Sequence, residues 1–161
     1  MGVYGWTLPD IKPTTRQIAE NDRDWGTDFP HYWFYKLEFV LWHEREVLGG
    51  GKEWENYRIT ARNSVEHISP QNPRDEADRL CVAELHHFGN LVLVTRGINS
   101  EYSDLPYRVK QAKFKDKKEK GSYDSLKSDL VYESSTWGDR GALNHQQAMV
   151  RIMEGYFAKT C

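Results

Sequence analysis

The residues best suited to chemistry lie in two short runs. Val65-Glu66-His67-Ile68-Ser69-Pro70 sets a carboxylate beside an imidazole just before a proline, and Gly89-Asn90-Leu91-Val92-Leu93 begins a second apolar run. Asn99 follows the second run, and Lys110 comes eleven residues later. A neutral imidazole that titrates near neutrality can take a proton from an attacking water. A carboxylate and a second oxygen donor can hold a hard cation, leaving its other positions to water and phosphate oxygens. Such a cation polarises a phosphate and stabilises the leaving oxygen. These are the parts of a one-metal phosphodiesterase.

Each residue also has a plainer reading. A histidine at a strand end is commonly a hydrogen-bonded structural residue, and Glu66 could be a surface carboxylate or half of a salt bridge. Asn90 after Gly89 could simply start a strand after a turn, and Asn99 could cap a helix. His86 and His87 are adjacent on an expected helix and so point in different directions, one packed and one exposed. Cys81 is expected to be buried.

The elements that must position these residues follow from periodicity. Residues 1–30 are polar and broken by Pro9, Pro13 and Pro30, an extended lead-in with a short helix near Thr15 to Asn21. Trp33, Leu37, Val40 and Leu41 recur at helical spacing, predicting a helix from His31 to Glu46 that Gly49-Gly50-Gly51 stops. Tyr57 to Ile68 alternates and reads as a strand ending near His67. A polar loop follows Pro70, then a helix from about Asp75 to His87 that Gly89 ends. Leu91 to Thr95 suits a buried strand, and a glycine-containing loop leads to Asn99. Pro106 to Lys118 predicts a basic helix, and Ala142 to Ala158 another, with Met149, Ile152, Met153 and Tyr156 on one side. The fold class is α+β with helices dominant, in one domain of 161 residues. Tyr32, Trp33, Tyr35, Phe39 and Trp42 are expected in the core rather than on a base-stacking platform.

Composition bounds the rest. Charged residues make up 29% of the chain, yet six Trp, nine Tyr and six Phe supply enough aromatic area for a compact core. No stretch approaches the roughly 20 apolar residues of a membrane span. The N-terminus lacks signal-peptide organisation, and Cys81 and Cys161 form no C-x-x-C pair, so a cytoplasmic location is expected. The formal charge of −2 argues against a generally basic nucleic-acid binder. The charge is uneven, however. Arg108, Lys110, Lys113, Lys115, Lys117, Lys118 and Lys120 face only Asp116 and Glu119 in their stretch, a local +5 that leaves −7 elsewhere. Such a run is either a phosphate-contacting surface or a solvated helix end.

The run from Val65 to Pro70, then His86-His87-Phe88-Gly89-Asn90-Leu91, Asn99, Pro106-Tyr107 and Lys110 resembles the C-terminal HNH nuclease domain of GmrSD-type restriction proteins, with the SspE-like phage-defence proteins as further members. In that family a pattern like E-H-I-x-P precedes G-N-L-x-L, then N, then P-F-x-x-K. Trp137 and Arg151 suit its tail. The resemblance spans roughly Tyr57 to Tyr156 and rests on five separated elements agreeing in type and order.

The resemblance implies a ββα-metal (His-Me) finger over residues 57–118, with a C-terminal helical part over 122–158. His67 takes the place of the general base. Glu66 stands where many members of the class have Asp, as a metal ligand, and Asn90 matches the architectural middle Asn that ties the loop and orients the histidine backbone. Asn99 occupies the last HNH position as a second ligand for Mg²⁺ or Mn²⁺. Lys110 would contact phosphate, with Arg108, Lys113, Lys115, Lys117 and Lys118 beside it on DNA. The implied activity is metal-dependent DNA cleavage, nicking and with low sequence specificity, in restriction or anti-phage defence. The family's usual ParB-like nucleotide-hydrolysing domain is expected upstream, as another part of the protein or a separate subunit. RNA as substrate, an inactive nucleic-acid-binding or interaction module, and a purely structural helical domain remain open alternatives.

Overall fold

The computed structural model describes residues 15, 16, 18, 26–123 and 125–160. Most of the helix expected near Thr15 to Asn21, and most of the lead-in, lies outside these residues. Two four-residue strands carry the motif residues. β1 (Ser64–His67) pairs antiparallel with β2 (Leu91–Val94), Glu66 opposite Val92 and His67 opposite Leu91. Around this ribbon, in chain order, lie α1 (His31–His43), α2 (Gly51–Glu55), α3 (Val82–Leu85), α4 (Arg96–Tyr102), α5 (Tyr107–Glu119), α6 (Leu126–Tyr132) and α7 (Asp139–Thr160). The domain is α+β and mostly helical, with one small sheet. No helix among the described residues is long and apolar enough to cross a membrane.

Side chains alternate across a strand, so the ribbon has two faces. Val65, Leu91 and Leu93 join Trp33, Leu37, Val40 and Leu41 of α1 and Met149, Met153 and Phe157 of α7 in the larger core. Val92 and Val94 join Ile68, Tyr102, Phe114, Val131 and Tyr132 in a second core under α4, α5 and α6. The ribbon is thus buried on both sides, which explains why β2 is an unbroken apolar run. Of the α1 aromatics, Trp33 is buried and Tyr35 and Trp42 pack against the core, whereas Tyr32 and Phe39 are both 45% exposed.

The first strand is much shorter than Tyr57 to Ile68. β2 offers only four rungs, so residues 57–63 have no strand to pair with and are fixed by side chains. Tyr35 Oη donates to the Arg62 carbonyl at 2.7 Å, and Arg62 donates to Tyr57 Oη and to the Tyr123 carbonyl. The helix expected over Asp75 to His87 breaks into a 3-10 turn (Glu76–Asp78) and α3. Two side chains hold the break open: Ser69 Oγ donates to the Asp78 carbonyl, and Asp139 Oδ1 accepts the Cys81 N–H. Cys81 is exposed, not buried. The basic helix falls within a residue of expectation, and the C-terminal one starts earlier, at Asp139, and runs to Thr160.

Asn99 sits inside α4, whose N-terminus Thr95 caps by accepting the Ile98 N–H. The α6 N-terminus is held by a distant residue, the buried Glu38 carboxylate, which accepts the Leu126 and Lys127 N–H groups at 2.8 and 3.1 Å. Gly89 is required by packing. A Cβ there would lie 1.9 Å from the Ala142 carbonyl oxygen on α7. Gly89→Ala must separate backbone from backbone and should cost about 3 kcal/mol, the upper range for overpacking. A fall in the urea midpoint with an unchanged slope would register it.

Candidate active site

β1 ends at His67, and the chain then passes through Ile68 and Ser69 into the loop. Ile68 N–H still bonds the Asn90 carbonyl at 2.9 Å, so the ladder continues past the strand. Asn90, fully buried, ties three segments together. Its Oδ1 accepts from Ser69 N–H at 2.9 Å and from Trp137 Nε1 at 3.0 Å. Its Nδ2 donates to the carbonyls of Ser69 and Leu85, at 3.2 and 2.9 Å. All four are buried or half-buried, and each missing bond would leave a group costing roughly 1–3 kcal/mol. Trp137 is held in turn by stacking on Tyr107, ring centroids 5.7 Å apart. From below, the buried Lys127 ammonium donates to the carbonyls of Phe88 and Leu91, bracketing Asn90 at 2.9 and 2.5 Å.

Through the Leu85 carbonyl, Asn90 also fixes the end of α3, and the next residue is His86. Its Nδ1 lies 3.1 Å from His67 Nε2, with the rings edge to face. His67 is 6% exposed, and burial, then His86, then Lys110 pull its imidazole down to about 4. It is therefore neutral at physiological pH, as a general base must be. Helical geometry predicts one of His86 and His87 packed and the other exposed, yet both are half-buried. The helix ends at Leu85 and the chain turns at His86, so helical directions do not apply.

The opposite face of β1 holds a different cluster. Lys110, with no exposed surface, donates to Glu66 Oε1 at 2.5 Å and to the His67 carbonyl at 2.7 Å. Burial raises the Glu66 carboxyl to about 7 against the pull of the Lys110 ammonium. Asn99 Nδ2 donates to Ser64 Oγ at 2.6 Å. Ser64 and His67 lie three residues apart, about 10 Å along a strand, and on opposite faces. The expected ligands Glu66 and Asn99 share a face of the ribbon but each is committed to a protein partner, and neither meets the His67 ring. As arranged, these side chains do not fit a shared metal ion with His67. No group of three or more His, Cys, Asp or Glu side chains that could hold a metal occurs among the described residues.

The basic helix is also partly neutralised. Lys110 cannot reach DNA: it is buried, and its charge serves Glu66. Lys113 and Lys117 both pair with Glu101, while Lys118 pairs with Asp129 and Glu53. Arg108 and Lys115 are exposed on α5, seven residues and so about two turns apart on one side.

The buried His67 and the half-buried His86 meet at the end of a two-stranded ribbon inside a mostly helical α+β domain. The chain belongs to the family of C-terminal domains of GmrSD restriction endonucleases, whose model matches residues 14–152. No curated protein and no solved structure matches it.

Proposed function

We propose that this domain is a divalent-metal-dependent DNA endonuclease of the HNH (His-Me finger) type, nicking DNA with little sequence preference as the effector of a restriction or anti-phage system. Family membership supports nuclease chemistry, and the observation that carries the residue assignment is His67. It is buried, held neutral and anchored at the end of a ribbon that is followed directly by a helix, the order of elements in a ββα finger. In the proposed step, His67 takes a proton from water as the oxygen attacks phosphorus. The bond to the leaving sugar oxygen breaks, that oxygen takes a proton from solvent water, and His67 returns its own proton to solvent. Mg²⁺ or Mn²⁺ would polarise the phosphate and stabilise the leaving oxygen. Glu66 and Lys110 contribute by fixing the backbone under His67 through the bond to its carbonyl. An upstream ParB-like domain or subunit would supply target choice.

The commitment of Glu66 to Lys110 and of Asn99 to Ser64 favours one second reading, an inactive DNA-binding module. Supercoiled plasmid incubated with the protein and Mg²⁺ or Mn²⁺, with and without EDTA, separates the two. Conversion to open circle that EDTA abolishes is expected; binding without conversion would select the second reading.

The same reading predicts where DNA sits. Phosphate contacts should come from Arg108 and Lys115, because the other basic side chains of α5 are already paired. Replacing both with Gln should lower affinity and reduce the log–log salt slope by about 2, one counterion for each lost contact. Lys113→Gln with Lys117→Gln should change the slope less. Fluorescence anisotropy across a salt series measures both. Equal slopes for the two variants would show that α5 is merely a solvated surface.

A further inference from the structure

We propose that His86 is a positioning residue for His67, accepting its Nε2–H so that the Nδ1 lone pair of His67 is the one presented for proton abstraction. The inference rests on reading His67 as the base and adds which of its nitrogens acts and what holds it.

A neutral imidazole has one N–H and one lone pair. With His67 Nε2 at 3.1 Å from His86 Nδ1, one of the two nitrogens must donate and the other accept. If His86 donated, the lone pair of His67 Nε2 would point into His86 and could reach no substrate without breaking the contact. If His67 donates, its Nε2–H stays in place throughout the reaction and Nδ1 is left open. No hydrogen bond to Nδ1 of His67 is found among the described residues, and Nδ1 is not sealed from solvent without a partner. When Nδ1 takes its proton, the imidazolium keeps an acceptor at Nε2, as a base oriented by a third group does. The surroundings are built for this. Asn90 fixes both sides of the pair, holding Ser69 after His67 and Leu85 before His86. His86 is itself half-buried.

Two measurements on the intact chain decide it. With ¹⁵N-labelled histidine, NMR should show a scalar coupling across the hydrogen bond between His67 Nε2 and His86 Nδ1, with the proton covalently on His67. In plasmid cleavage, His86→Ala should lower kcat roughly 10- to 100-fold, the usual loss when the partner orienting a site residue is removed, with KM nearly unchanged. His86→Asn should restore most of it, since an Asn oxygen can stand where Nδ1 stands. A proton on His86, or no coupling at all, would overturn the proposal. So would a His86→Ala variant that cuts at the wild-type rate. If wild-type protein shows the coupling but cuts no DNA, the pairing stands and the nuclease reading fails, so the two are tested separately.

Discussion

His67→Ala should lower metal-dependent DNA cleavage by a factor of about 10² to 10⁴, the contribution of a positioned general base, while DNA binding stays close to wild type. Desolvation keeps this base in its working form. Burial and the neighbouring His86 hold the imidazole unprotonated down to about pH 4, so the base is available throughout the physiological range. That depressed value also has a cost in acid. The folded state disfavours a proton that the unfolded state accepts from about pH 6.5 downward, so stability present above pH 6.5 is lost as pH falls toward 4. His67→Ala should remove this component. Thermal unfolding of the metal-free protein should then depend less on pH between 6 and 4 than in the wild type. A variant that cuts at the wild-type rate would show that the base lies elsewhere.

Lys110→Ala should be among the most destabilising single changes. It leaves Glu66 buried at 4% exposure without its ammonium, and it strips the donor from the His67 carbonyl. Breaking a buried pair from one side costs about 3–5 kcal/mol. For a domain of this size that is a fall of roughly 10 °C or more in Tm. Replacing both partners, Glu66→Leu with Lys110→Met, should recover most of the loss, because no charge is then buried alone. About 1–3 kcal/mol should remain missing for the orphaned carbonyl. Calorimetry on the two single variants and the double variant measures the coupling directly. If Lys110→Ala melted within a degree or two of wild type, the pair would not be buried in solution.

Much of the site was legible because local chemistry controlled it. His67 and Asn90 sit beside prolines, glycines and apolar runs whose preferences agree with the turns and strands they adopt. The long C-terminal helix and the basic helix were legible for the same reason. What the sequence hid was set by distant partners. The length of β1 depends on how much of β2 is available to pair, and α6 begins where a carboxylate 88 positions earlier in the chain accepts its first N–H. Lys110 reads as a surface cation in a lysine-rich stretch. Only the fold shows that its turn of α5 faces Glu66, making it the buried member of a basic run whose next residues reach solvent. His86 meets His67 only because the helix stops at Leu85, a boundary that no glycine or proline marks in the sequence. Spacing could place Asn99 after β2 but could not show which face of the ribbon it meets, and it meets Ser64 rather than His67.

Water activated at His67 is expected to attack a DNA phosphodiester. The direct measurement is cleavage of a defined duplex by stoichiometric protein with Mg²⁺ or Mn²⁺ in ¹⁸O-labelled water, followed by mass spectrometry of the new ends. The expected result is one ¹⁸O atom in each newly formed terminal phosphate, with no such product from His67→Ala. Duplex that stays intact with either metal, or product from His67→Ala equal to that from wild type, would contradict it.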